Sequence, residues 1–84
     1  MDKAALKEQA CKAIRNHADE IIRLGDSIFR DPELGFKETA TAAKIAATLK
    51  RHGIASTTGH AITGVKARLK GARSRRTVAV LGEL

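Results

Sequence analysis

The run Thr77-Val78-Ala79-Val80-Leu81 constrains this chain more than any other feature. A strand with one wet face alternates apolar and polar residues, and this run does not alternate. It predicts a strand over about 77–82 that is covered on both faces, as in the middle of an α/β sheet. Such a strand needs neighbours on both edges and helices or sheet above and below. The chain ends three residues later, at Gly82-Glu83-Leu84. The expectation is therefore an α/β fold in which residues 1–84 are an incomplete, N-terminal portion of a larger sheet domain.

The preceding residues predict two helices and then strands. Ala10, His17 and Leu24 recur every seven positions, as do Ile14, Ile21 and Ile28, which places one apolar stripe on a helix over about 3–30. Asp31-Pro32 stops it, because proline disfavours helical geometry in the residue before it. A second helix is expected over about 37–52, with Phe36, Ala40, Ala43 and Ala47 along one face and Ala42, Ile45, Ala46 and Leu49 beside them. Lys50, Arg51 and His52 suit the negative end of that helix, and Gly53 its left-handed cap. After Gly53 the period falls to two. Strands are expected over about 54–58 and 64–70, where Val65, Ala67 and Leu69 alternate with Lys66, Arg68 and Lys70. Residues 71–76 then form a polar connection of hairpin length.

Composition narrows the class. Apolar residues make up 43% of the 84, which is enough for a globular chain, but two Phe, no Trp and no Tyr leave a thin core. Cys11 is the single cysteine, so a disulfide framework is excluded. No apolar run reaches the roughly 20 residues of a membrane helix, and the N-terminus lacks a signal-peptide layout. A cytoplasmic protein with no membrane partner is expected.

The formal charge of +7 is unevenly placed. Residues 1–38 carry seven basic and eight acidic groups, whereas residues 39–84 carry nine basic groups and one acid, Glu83. Lys66, Arg68, Lys70, Arg73, Arg75 and Arg76 form a block that raises a nucleic-acid partner through phosphate neutralisation. A solvated strand face and hairpin tip explain the block better, since no stacking aromatic or nucleic-acid-binding motif accompanies it.

The residues alone supply no convincing catalyst and no metal ligand. His17 reads as a helix-packing residue, His52 as a helix-end cation, and His60 as part of the Gly59–Gly64 loop. With Cys11, expected to be at least half-buried, they show no zinc spacing. The Gly59–Gly64 loop lacks the Lys-Ser/Thr ending of a phosphate loop and precedes a strand. Asp31, Glu33 and Glu38 cluster around Pro32, where helix capping and dipole placement account for them.

One constellation goes further. Asp31-Pro32-Glu33-Leu34-Gly35-Phe36-Lys37-Glu38-Thr39-Ala40-Thr41 resembles the helix-breaking segment of metal-dependent amidohydrolases. These form the zinc aminoacylase and carboxypeptidase family that includes indole-acetyl-amino-acid and aminobenzoyl-glutamate hydrolases. Leu49-Lys50-Arg51-His52-Gly53, Thr63-Gly64-Val65 and Val78-Ala79-Val80-Leu81-Gly82-Glu83-Leu84 are similar to the family's later segments, in the same order. The resemblance spans nearly all of the chain from Ile21 onward. It implies a hydrolase of N-acyl amino acids or related amides and peptides. Such an enzyme would use a pair of divalent metal ions, usually zinc, to polarise the carbonyl and activate a bridging water.

The family's ligands and catalytic glutamate fall after residue 84, so the resemblance assigns no catalytic or metal residue within 1–84. Glu83 stands near a position where some branches place a metal-binding His. The implied role for it is structural, or support of a ligand from behind. The fragment alone is expected to be inactive. Its implied partners are a small amide or peptide substrate and a second copy, joined through regions outside this chain; a nucleic acid is not expected. Two other readings stand beside this one: a small basic nucleic-acid-binding module built on Lys66–Arg76, and a helical interaction protein using the Ala10–Ile28 stripe.

Overall fold

The computed structural model describes residues 2–73 and 75–84. Helices come first and strands after, so the chain is a mixed α/β one. The elements are α1 (Lys3–Asn16), α2 (Ala18–Arg30), α3 (Thr39–Arg51), β1 (Ser56–His60) and β2 (Gly64–Ala67). They fall into two units, residues 1–31 and 32–84, divided at the Asp31-Pro32 step.

In the first unit, the single helix expected over about 3–30 is two helices. The Asp2 carboxylate accepts from the Ala5 amide at 2.7 Å and caps α1. The helix closes on His17 (φ −106°, ψ 12°), whose amide is shared between the carbonyls of Ala13 and Ile14 at 3.2 and 3.1 Å. Asn16 and His17 are both weak helix formers, which suits the interruption. It also divides the seven-residue stripe between two elements, and Ile14 and Ile21 are exposed. On α2, Ile21, Leu24 and Ile28 share a face with Ile22 and Phe29 at its margin, opposite Asp19, Arg23 and Arg30. The helix ends at Arg30, as the proline requires.

In the second unit α3 packs on the β1–β2 hairpin. Its start is two residues later than expected, and of its two apolar rows the one with Ala42, Ile45, Ala46 and Leu49 turns inward. Thr41 (2% exposed) and Ala42 (8%) are the buried residues of the described chain, with Ile45, Ala46 and Leu49 half-buried behind them. Phe36, Ala40, Ala43 and Ala47 are exposed, so the expected alanine face points away from the hairpin. The C-terminal end is as expected. Gly53 takes φ 72°, its amide donates to Lys50 at 3.0 Å and the Ile54 amide to Leu49 at 2.9 Å. This pair of bonds is a Schellman closure, and it turns the chain from helix into strand.

β1 and β2 are antiparallel, with Ser56 opposite Ala67, Thr57 opposite Lys66, Thr58 opposite Val65 and His60 opposite Gly64. Gly59 (φ 83°) is the extra residue of a bulge in β1. The turn places Ala61 and Ile62 at φ 46° and 79°, a region that a β-branched side chain rarely enters.

Strand positions depart from the sequence expectation. β1 lies two residues beyond 54–58, and β2 ends at Ala67 rather than near 70. The expected strand over 77–82 is not formed: these residues lie in no regular element. The hairpin that forms is the earlier one. It closes through three residues, whereas nine separate Ala67 from Thr77, and the shorter loop costs less chain entropy. Val78, Val80 and Leu81 are consequently 87%, 94% and 95% exposed. No helix among the described residues is long and apolar enough to cross a membrane.

Candidate functional site

The segment after Pro32 is built around two carboxylates with different tasks. Glu33 reaches forward to the first turn of α3. Its carboxylate accepts from the Thr41 amide at 2.6 Å, the Thr41 hydroxyl at 2.7 Å and the Ala40 amide at 3.3 Å. It therefore caps, from outside the helix, amides that have no partner within it. Glu38 occupies the N-cap position, but its side chain makes no capping bond. It accepts instead from the Thr63 hydroxyl at 2.7 Å, across 25 residues. One carboxylate thus starts α3, and the other ties that start to the turn of the hairpin.

The Thr41 hydroxyl, then its amide, hold the Glu33 carboxyl below its ordinary range; desolvation opposes them, and the Ala40 amide and the Lys44 charge add lesser help. A lowered pKa in the folded chain means a contribution present at neutral pH and lost as pH falls from the ordinary glutamate range through the folded value. Acid titration should therefore release the Thr41 amide from protection before the rest of α3 opens, as read by hydrogen exchange. Glu33→Gln should flatten that pH response.

Capping was legible at Glu33, because a carboxylate beside a helix start has few other uses. Its partner Thr41 and the Glu38–Thr63 bond were not anticipated. A threonine in the first turn is a signal for the former; nothing local in the sequence marks the latter. Asp31 closes α2, its amide donating to Ile28 at 3.3 Å.

The remaining candidates do not converge. Among the described residues no three His, Cys, Asp or Glu side chains are placed to hold a metal ion. The residues present therefore do not fit a zinc pair. Cys11 is exposed on α1, where a buried or half-buried thiol was expected. His17 is exposed as well, with Nδ1 3.8 Å from Glu20, rather than packed in a core. His52 follows α3 as its C-cap. His60 Nε2 lies 2.6 Å from the Thr57 hydroxyl within the bulged end of β1. Glu83 is exposed and outside any helix or strand.

The structure does gather part of the basic block. Arg68, Lys70, Arg73 and Arg76 line one cleft of about 250 Å³, together with Gly71 and Thr77. Lys66 and Arg75 are not part of the lining. A wider groove of about 470 Å³ runs between α3 and β1, bounded by Ala46, Ala47, Lys50, Ile54, Ser56 and Thr58. Comparison of the chain with protein-family models, with curated proteins and with solved structures gave no match.

Proposed function

We propose that these residues are the N-terminal segment of a dinuclear metal-dependent amidohydrolase or peptidase acting on N-acyl amino acids or related amides. The observation that carries this reading is the way the resembling segment is used. Pro32 ends one helix, Glu33 caps the next, and Glu38 fastens its start to Thr63 of the Thr63-Gly64-Val65 segment. Two separate pieces of the resemblance thus meet in one hydrogen bond. The exposed Val78, Val80 and Leu81 support the reading from another side, since a run of this character is suited to the interior of a larger sheet.

In this reading residues 32–67 are a scaffold rather than a catalytic centre. The resemblance places the metal ligands and the general base outside residues 1–84. Glu83 has a structural role or supports a ligand from behind, without ligating. The substrate is a small amide or peptide, the compartment is the cytoplasm, and pairing of two copies uses regions outside these residues.

The decisive observation is the coding sequence that follows Leu84. It is expected to continue in frame into a Cys/His-Gly-His/Asp type of metal motif, and the longer protein should bind zinc and hydrolyse N-acyl amino acids. A stop codon at that point, or a continuation without such a motif, would overturn the proposal.

A further inference from the structure

We propose that the cleft lined by Arg68, Lys70, Arg73 and Arg76 is a binding site for a compact anion carrying two or more phosphate groups. Four cations face one concavity of about 250 Å³. No carboxylate of the described residues pairs with any of them, and Glu83 is the one acid in residues 39–84. Like charges gathered around so small a volume repel one another, and a multivalent anion converts that repulsion into attraction.

The donor types suit phosphate. Three guanidinium groups offer planar forks that match two phosphate oxygens each, and Lys70 adds a compact point charge. The Thr77 hydroxyl on the same wall is a further donor. Gly71 also lines the cleft and, having no side chain, leaves its backbone open to an approaching ligand.

The shape argues against a nucleic acid as occupant. A strand is held by cations that track its backbone and by aromatic side chains on which bases stack. Here four cations converge on one cleft instead of forming a track, and residues 64–84 contain no aromatic side chain. Recognition would therefore rest on phosphate charge, with no reading of a base.

The test is calorimetric titration of the chain with inorganic tripolyphosphate, and in parallel with duplex DNA and single-stranded RNA, at low and at physiological salt. Saturable one-to-one binding of tripolyphosphate is expected. Arg68→Gln combined with Arg76→Gln should weaken it about tenfold or more, the loss expected for removing charge-assisted bonds. Arg15→Gln combined with Arg23→Gln removes the same charge from α1 and α2 and should leave it unchanged. Circular dichroism of both double variants keeps folding out of the comparison, since all four side chains are exposed. Absence of saturable binding, or equal weakening by both pairs, would overturn the site. Preferential binding of DNA or RNA, lost with Arg68 and Arg76, would replace it with the nucleic-acid reading.

Discussion

Gly64→Ala is expected to unpair the β1–β2 hairpin, the largest effect of any single methyl group added to this chain. A Cβ at position 64 would stand 2.5 Å from the carbonyl oxygen of His60 and 3.3 Å from its carbonyl carbon. Both are backbone atoms of the opposing strand, so no side-chain rotation relieves the clash. His60 and Gly64 are also the last pair before the turn, where Ala61 and Ile62 already hold positive φ. The strands must part, at a cost of about 2–3 kcal/mol for overpacking without relief. Hydrogen exchange should show the amides of 56–60 and 64–67 losing protection together. The Thr63 to Glu38 bond should go with them, since the same turn presents the Thr63 hydroxyl. Gly71→Ala is the control: its Cβ would come no nearer than 4.0 Å to Arg73, and stability should change by less than about 0.5 kcal/mol. Equal behaviour of the two variants would refute the argument.

Replacing Val78 and Val80 with lysine should suppress self-association of the 84-residue chain without altering its helix content. Both side chains project almost fully into water, and residues 77–81 belong to no helix or strand. An apolar, exposed segment outside any regular element is a template for pairing with another copy. Burying one valine in such a contact contributes about 1.5–3 kcal/mol, so each substitution should shift the association midpoint by roughly tenfold or more. Sedimentation would measure the shift, and far-UV circular dichroism would check that α1, α2 and α3 persist. The parent should also melt broadly, its buried residues being so few. A sharp transition from a monomer that stays monomeric at high concentration would contradict this account.

How far the sequence could be read depended on whether the deciding interaction was local. The stop at Pro32, the cap at Gly53 and the change of period after it all depend on a few consecutive residues, and all three stand. The break at His17 was hidden because the seven-residue spacing runs straight through it, and periodicity does not register a one-residue interruption. Which of the two apolar rows of α3 turns inward is not legible in its alanines, because both rows carry them. The Thr41 hydroxyl, engaged with Glu33, decides it instead. Least legible was strand pairing. Val65–Leu69 and Thr77–Leu81 have the better β pattern, yet β2 pairs backward with Ser56–His60, whose residues are mostly small and polar. Proximity along the chain outweighed the apolar pattern. For the candidate site, the clustering of basic residues could be read directly. That four of the six would share one cleft could not.

That preference for the nearer partner has a kinetic side. A hairpin closed by three residues forms in roughly 1–10 μs, far faster than a ribosome adds the next amino acid. Once they have left the ribosomal tunnel, residues 56–67 therefore have time to pair, and to dock on α3, before Val78 follows them out. Any later strand must then add to a sheet edge that already exists. The order of emergence from the ribosome would thus protect the apolar run from competing for β2, and leave it open for whatever reaches it next.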